Sequence, residues 1–246
     1  MASFLPQKII GHLTHCATQA DKLAREKLNA GKVIDENDYT SNFTCLFDFA
    51  INALRLPELR SSIQRLNPTR ERALGADGCI VLQNIPDRLM KVGIFEAKWP
   101  RLNRMNYDWD YLQSDGDSHF HTQLERQEIH ISSYAIWEMF YLEHSFHKQP
   151  NFMPPEGSAC AWQTDIYPES EQITNPKKLN SNKPSKPWQS SDLLNIPASH
   201  FITISKVLEE ICECSRGEVL SITSIESIFK TGICPEEAII VTYLGS

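Results

Sequence analysis

The sequence predicts an α/β fold, in which a mixed β-sheet is flanked by helices. Two short apolar runs, at 77–83 and 91–98, have the length and the β-branched content of strands, and a turn at 84–88 joins them. Helical patterns stand on both sides of this hairpin, at about 5–30 and 119–144. The order helix, hairpin, helix therefore indicates the α/β class.

The N-terminal part of the chain predicts amphipathic helices. Residues 5–30 place apolar side chains on one stripe, and Gly31 suits the C-cap of that helix. A second helix is expected to begin near Asp35, which we interpret as its N-cap. Leu56–Pro57 ends that helix, and a shorter helix is expected at about 58–66.

The C-terminal half is less regular. A stretch rich in Pro, Asn, Ser and Lys at 168–192 predicts a long surface loop or a partly disordered insertion. The other expected elements are a strand within 157–165, a helix at about 203–214 and strands near 218–224 and 237–244. We expect a single domain over 1–246, with its core at about 35–165 and with N- and C-terminal additions.

Composition limits the class of protein. Hydrophobic residues at 41% and charged residues at 22% are typical of a soluble globular chain. The sequence shows no apolar run of the roughly 20 residues that span a bilayer and no signal peptide at its N-terminus. Seven cysteines without framework spacing favour a reducing compartment, so a cytoplasmic location is expected. The net charge of −7 does not favour nucleic-acid binding unless basic residues cluster locally.

Three charged residues on the hairpin carry the main functional hypothesis. Glu96 and Lys98 follow Val92 and Ile94 on one face of the second strand, because strand side chains alternate. Asp77 begins the first strand. Buried charges persist mainly when they are paired or bind a metal. Two carboxylates with a lysine beside them predict a site in which Mg²⁺ or Mn²⁺ acts on a phosphodiester. The non-functional alternative is a solvent-exposed hairpin face on which Glu96 and Lys98 form an ordinary ion pair.

At these residues the chain resembles the PD-(D/E)xK nuclease superfamily. The resemblance is carried by Asp77 in Leu-Gly-Ala-Asp-Gly and by Glu96-Ala97-Lys98, 19 positions later, and it spans roughly 35–145. Ala76 stands where the superfamily's name has proline. The resemblance implies a restriction-endonuclease-like sheet flanked by helices. It also implies that Asp77 and Glu96 hold the metal, with the Ala97 carbonyl as a further ligand, and that Lys98 orients the attacking water.

The resemblance implies two more site residues. Glu36, near the start of the second helix, is the candidate acid of the preceding helix, and the alternative is a first-turn acid that only favours the helix dipole. Gln127 lies on the apolar stripe of the helix after Glu-x-Lys, where superfamily members often carry a glutamine that reaches the site. Gln123, one turn earlier, is the alternative. A glutamine bonded to backbone at the edge of the core is equally compatible with the pattern.

Histidines, arginines and aromatic residues allow weaker interpretations. A structural zinc is disfavoured because no cysteine pair has matching spacing, although His119 or His121 is available as an acid or base. Arginines could bind phosphates or lie on a solvated face; they are Arg55, Arg60, Arg65, Arg70, Arg72, Arg101 and Arg104. Tyr107, Trp109 and Tyr111 could stack on bases or anchor their loop, and anchoring is preferred for Trp109.

The sequence therefore predicts a Mg²⁺- or Mn²⁺-dependent nuclease, endonuclease or exonuclease, that acts on nucleic acid, with DNA favoured over RNA. Restriction, anti-phage defence and repair are compatible settings, and analogy with the superfamily suggests a homodimer. The alternative is a non-catalytic nucleic-acid-binding or scaffold protein that keeps the nuclease fold.

Overall fold

Within the residues that the structure describes, seven strands form one mixed sheet and six α-helices accompany it. The computed structural model describes residues 3–65, 76–100, 109–141, 157–174, 186–223, 235 and 237–245. The helices are α1 (Gln7–Asn29), α2 (Glu36–Ala53), α3 (His119–Glu128), α4 (Gln163–Thr174), α5 (Ser190–Leu193) and α6 (Ile204–Cys212). The strands are β1 (Leu59–Arg65), β2 (Gly78–Asn84), β3 (Leu89–Lys98), β4 (Ala135–Phe140), β5 (Ala159–Trp162), β6 (Leu220–Ser221) and β7 (Glu237–Tyr243).

The sheet has the strand order β1-β7-β2-β3-β4-β5, and the short strand β6 pairs with β3. β2 and β3 form the expected antiparallel hairpin. β7 is parallel to β2, and β4 is parallel to β3. Because β7 comes from the C-terminal end of the chain and lies between β1 and β2, that end contributes an interior strand of the sheet.

The predictions for the first two helices are confirmed. α1 buries an apolar stripe, and Gly31 follows it with a φ of +67°, a conformation that glycine adopts readily. Asp35 caps α2, since its side chain accepts a hydrogen bond of 2.8 Å from the backbone N–H of Asp38. These two helices pack against each other and, with α6, on one face of the sheet.

The two faces of β3 have different environments. Phe95 and Ala97 point to the face covered by α1, α2 and α6, where they belong to the largest apolar core. Glu96 and Lys98 point to the opposite face, since side chains alternate along a strand. That face is covered near its end by Phe120 and Leu124 of α3, which pack with aromatic residues of a separate core. The charged pair is therefore buried between the sheet and α3.

The prediction of a helix at 58–66 is wrong, because Leu59–Arg65 form β1. β1 pairs antiparallel with β7 along its whole length, from Leu59 opposite Tyr243 to Arg65 opposite Glu237. Its partner is thus at the far end of the chain, and pairing over this distance overrides a weak local preference.

The helix expected at 119–144 is wrong in its second half. α3 ends at Glu128, and 135–140 form β4, which pairs with β3 in register from Gly93 opposite Ala135 to Lys98 opposite Phe140. The run Ala-Ile-Trp-Glu-Met-Phe is short and entirely buried, which suits an interior strand of a sheet.

The prediction of a surface loop at 168–192 is wrong at both ends of that range. Residues up to Thr174 belong to α4, and Trp188 is buried in the core beside α3. The intervening residues 175–185 lie outside the described part of the chain. The strand within 157–165, the helix near 203–214 and the strand near 237–244 are confirmed as β5, α6 and β7. The strand near 218–224 is confirmed only as the two-residue β6.

Across the ranges that the structure describes, no helix is both long enough and apolar enough to cross a membrane.

Candidate functional site

Asp77 and Glu96 lie opposite each other at the end of the β2–β3 hairpin. Gly78 pairs with Phe95, so continuing the register by one residue places Asp77 across from Glu96. The backbone N–H of Asp77 donates to the Phe95 carbonyl at 3.0 Å, which extends the ladder to this point. The two acids, which are 19 positions apart in the sequence, are thus brought together at the same end of the hairpin.

Glu96 and Lys98 form a buried ion pair. The Lys98 Nζ lies 2.5 Å from Glu96 Oε1, and both side chains are almost fully buried. Burial lowers the pKa of Lys98, but the surrounding carboxylates, Glu96 foremost, outweigh burial and raise that pKa above its ordinary value. Lys98 therefore stays protonated and is the positive charge around which the acids are grouped.

Gln123 of α3 completes the contacts of this ion pair. Its side-chain Nε2 donates to Glu96 Oε1 at 2.6 Å. The other carboxyl oxygen, Glu96 Oε2, is buried and has no hydrogen-bond partner among the described residues. A buried carboxylate oxygen without a donor is costly, so a ligand at Glu96 Oε2 would offset that cost.

Asp77 is held by the strand that carries the other site residues. Its Oδ2 accepts the backbone N–H of Ala97 at 2.7 Å. Burial raises the pKa of Asp77 well above its ordinary value, the Glu96 carboxylate adds to the increase, and Lys98 opposes it. For Ala97 the structure shows this N–H contact, and the role of its carbonyl as a ligand stays a prediction.

Glu36 reaches the same region from the first residue of α2. Its Oε1 accepts the backbone N–H of Trp99, the residue after β3, at 2.7 Å. Burial raises the pKa of Glu36, and Lys98 opposes that increase more strongly than any other group. The acid of the preceding helix is thus placed beside the end of β3, near Lys98.

Glu138 is a fourth acid, which the sequence analysis missed. It lies on β4 directly opposite Glu96 of β3 and is completely buried. Neither of its carboxyl oxygens has a hydrogen bond of full geometry among the described residues. Burial and the Glu96 carboxylate raise the pKa of Glu138 well above its ordinary value. The sequence feature that could have indicated Glu138 is a single acid inside an apolar run. It was not recognised because that run was predicted to be helical.

The sequence predicts that Gln127 or, alternatively, Gln123 reaches the site, and in the structure each of them contacts a different acid. Gln127 is completely buried on α3, and its side chain acts on Glu138 as a hydrogen-bond donor that lowers the pKa of that acid. Gln123, one turn earlier, contacts Glu96 directly. The two glutamines therefore face two adjacent acids of the sheet, and the one that touches the Glu-x-Lys motif is Gln123.

The histidines divide into two environments. His119, at the start of α3, lies near the ion pair, and burial together with Lys98 lowers its pKa. His121 is buried elsewhere, with its Nδ1 3.0 Å from Ser170 Oγ and its ring stacked on Tyr167. Among the described residues no group of three or more His, Cys, Asp or Glu side chains has the arrangement of a metal site.

The aromatic residues before α3 confirm the interpretation of Trp109. Its ring packs against Phe120, Phe140 and Trp188 in the core beside the site. Tyr111 is 56% exposed and stacks on His119. Tyr107 lies outside the described residues, as do Arg70, Arg72, Arg101 and Arg104. Arg60 and Arg65 are exposed on β1, at the edge of the sheet, and Arg55 is exposed just after α2.

The oxygen atoms at this centre are of the kind that bind a divalent cation. Among the described residues, however, no three acidic, histidine or cysteine side chains are already arranged to bind one. Mg²⁺ and Mn²⁺ prefer carboxylate oxygens, and Glu36, Asp77 and Glu96 supply three carboxylates around one lysine. In Glu36 and Asp77, one oxygen accepts a hydrogen bond from a backbone N–H. In Glu96, one oxygen has no hydrogen-bond partner within the described ranges. The acids that would hold such an ion are thus Glu36, Asp77 and Glu96, and the fourth predicted ligand, the Ala97 carbonyl, stays a prediction.

Comparison of the chain with protein-family models, with curated proteins and with solved structures found no match. Structure and chemistry at this centre therefore carry the functional argument.

Proposed function

We propose that this chain is a Mg²⁺- or Mn²⁺-dependent nuclease of the restriction-endonuclease-like type, which hydrolyses phosphodiester bonds, most readily in DNA. The observation that carries the proposal is the buried Glu96–Lys98 ion pair opposite Asp77, with one oxygen of Glu96 left without a partner among the described residues. Burial of a charged group is costly unless the group is paired, hydrogen-bonded or bound to a metal ion.

Each residue has a role that follows from its contacts. Asp77, Glu96 and Glu36 would hold the metal ion, which when bound lowers the pKa of a water molecule and neutralises charge on the phosphate. Lys98 is kept protonated by the acids around it, so it stabilises negative charge that develops on the phosphate and orients the attacking water. Gln123 holds Glu96 in place by its hydrogen bond to Oε1.

A second candidate function is a non-catalytic nucleic-acid-binding or scaffold protein. The observation that favours it is the lack, within the described ranges, of three acidic or histidine side chains arranged to ligate a metal. In this alternative the Glu96–Lys98 pair is a structural ion pair only. Calorimetric titration with Mg²⁺ and Mn²⁺ separates the two functions, because only the nuclease requires a metal to bind at Asp77 and Glu96.

The experiment that tests the nuclease uses supercoiled plasmid, single-stranded DNA and RNA, each with Mg²⁺, Mn²⁺ or EDTA. The wild type is compared with Asp77→Ala and Lys98→Ala, and Lys206→Ala is the control, since it removes a lysine from an exposed ion pair on α6. We expect metal-dependent cleavage by the wild type and the control and none by the two site variants. Cleavage by Asp77→Ala at the rate of the wild type would overturn the proposal.

The proposal also includes a cytoplasmic location, a homodimeric state and a role in restriction, anti-phage defence or repair. The six cysteines of the described ranges are all free thiols, which supports a reducing cytoplasm. A homodimer would allow both strands of a duplex to be cut, and light scattering of the purified chain measures the oligomeric state. Restriction, anti-phage defence and repair all use such chemistry.

A further inference from the structure

An exposed aromatic stack stands at the edge of the candidate site. The rings of Tyr111 and His119 lie parallel, with centroids 4.7 Å apart and an angle of 13° between their planes. The pair is also joined through the backbone, since the N–H of His119 donates to the Tyr111 carbonyl at 2.9 Å. His119 covers part of one ring face, and Tyr111 remains 56% exposed. A flat aromatic surface is thus presented to solvent.

The segment that carries Tyr111 is held rigidly. The buried carboxylate of Asp110 accepts hydrogen bonds from Ser118 Oγ at 2.6 Å and from the backbone N–H groups of Phe120 and Trp188 at 2.9 and 2.7 Å. Leu112 forms an antiparallel bridge with Ser118 on the other side of Tyr111. An exposed ring that is already fixed loses little conformational freedom when a ligand stacks on it.

The stack is directly adjacent to the charged centre. His119 and Gln123 are four residues apart on α3, so they lie on the same face of the helix, about one turn apart. Gln123 donates to Glu96, and Phe120, the neighbour of His119, has its ring centroid 5.9 Å from Lys98 Nζ. Tyr111 therefore stacks on the end of α3 whose next residues, Phe120 and Gln123, contact the ion pair.

We infer that Tyr111, backed by His119, is a stacking site for an unpaired nucleobase, and that the chain acts on single-stranded DNA or on single-stranded ends. This inference rests on the proposed nuclease function. A base within a duplex has both faces covered by its neighbours, so only an unpaired base offers a face to an isolated aromatic ring. Stacking is tolerant of sequence and does not depend on protein charge, which suits a chain of net charge −7.

The test is a binding measurement without cleavage. A fluorescent single-stranded 12-mer and a blunt duplex of the same sequence are titrated by anisotropy, with Ca²⁺ in place of Mg²⁺. Tyr111→Ala is compared with Tyr111→Phe, which keeps the ring. Phe49→Ala is the matched control, because Phe49 is an exposed aromatic residue on α2, roughly 20 Å along the helix from Glu36.

We expect Tyr111→Ala to weaken binding of the single strand about 10-fold and binding of the duplex far less. Tyr111→Phe and Phe49→Ala should bind as the wild type does. A strand with abasic sites adds a second arm, since it should bind the wild type more weakly and abolish the difference between wild type and Tyr111→Ala. Unchanged thermal unfolding shows that the variants are folded.

Two results overturn the inference in distinguishable ways. If the wild type binds the single strand and Tyr111→Ala binds it equally well, the stacking site is wrong and the nuclease proposal stands. If the wild type binds neither DNA and cuts no substrate with Mg²⁺ or Mn²⁺, the proposed function fails and the stacking site fails with it.

Discussion

Glu96 and Glu138 lie directly opposite each other on the parallel strands β3 and β4, and both side chains are buried on the same face of the sheet. Neighbouring strands are about 5 Å apart, so two charged carboxylates at these positions would repel strongly. Lys98 neutralises Glu96 directly at 2.5 Å. In the described part of the chain no cation forms an ion pair with Glu138. Burial and the Glu96 charge raise the pKa of Glu138 well above the ordinary value, although Lys98 opposes that increase. Protonation of Glu138 removes this repulsion, and the raised pKa favours the protonated form.

The first prediction concerns the effect of Glu138 on stability. A carboxyl whose pKa is raised in the folded state keeps a proton that the unfolded chain has already released, so the free energy of unfolding falls as pH rises above about 4.5. Glu138→Gln removes this titration while keeping the shape of the side chain. In EDTA we expect the variant to be more stable than the wild type by about 1 kcal/mol or more at pH 8, with the difference vanishing near pH 4.

Urea unfolding between pH 4 and pH 8 measures this effect. Glu213→Gln is the control, because Glu213 is exposed at the end of α6 and makes the same change of charge. Its stability should follow the wild type at every pH. Parallel curves for Glu138→Gln and the wild type would show that Glu138 is not held protonated by the fold.

The sequence predicts the hairpin and its charged residues well, because both depend on local pattern. Alternation along β3 is enough to place Glu96 and Lys98 on one face, and the short turn to β2 brings Asp77 opposite Glu96. Glu138 could not be found in this way. Its place in the site depends on the pairing of β4 with β3, a contact between distant parts of the chain that no local period reports.

The same limit explains the two glutamines. Gln123 and Gln127 are one helical turn apart and share a face of α3, so periodicity cannot tell which one reaches Glu96. The answer depends on where α3 crosses the sheet, and the structure places Gln123 at Glu96 and Gln127 at Glu138. β1 was missed for a related reason, since its partner β7 lies at the other end of the chain.

The second prediction concerns the buried ion pair. Lys98→Met removes the cation and leaves Glu96 buried beside the other acids, so we expect a loss of about 3–5 kcal/mol in the free energy of unfolding in EDTA. The double variant Glu96→Gln/Lys98→Met has neither charge and should recover at least half of that loss. Urea denaturation gives both values.

Lys206→Met is the control for Lys98→Met, since the ion pair of Lys206 with Glu209 is exposed on α6. Exposed pairs contribute about 0–1 kcal/mol, so this variant should remain close to the wild type. If Lys98→Met costs no more than Lys206→Met, the Glu96–Lys98 pair is not a desolvated pair and the argument from its burial is wrong.

The third prediction tests the packing of β3 beneath the site. A Cβ at Gly93 would lie 2.8 Å from Trp137 Cζ3 and 3.0 Å from Ile211 Cδ1, closer than side chains tolerate. Gly93→Ala should therefore destabilise the fold by about 1–3 kcal/mol. Gly11→Ala on α1 is the matched control, and the opposite effect is expected for it. Beyond the neighbouring backbone of its own helix, no heavy atom of the described residues lies within 4 Å of the added methyl group. In a helix this change stabilises by about 0.5–1 kcal/mol. Equal midpoints for the two variants in urea would contradict this packing.

The fourth prediction separates metal binding from folding. Asp77→Asn keeps an oxygen that accepts the Ala97 N–H, so the metal-free variant should unfold within a few degrees of the wild type. It lacks the charge that a hard cation requires. Mn²⁺ at about 100 times its dissociation constant stabilises a folded protein by about 2.7 kcal/mol, which corresponds to a rise in Tm of about 5–10 °C for a chain of this size.

We expect this rise for the wild type and for Glu213→Gln, which loses an exposed acid away from the site, but not for Asp77→Asn. The contrast requires Asp77 to contribute charge to the metal ion, because the hydrogen bond to Ala97 is preserved. A full rise in Tm for Asp77→Asn would place the metal elsewhere in the chain. No rise for any of the three proteins would favour the non-catalytic alternative, in which the acids around Lys98 form a structural ion pair network alone.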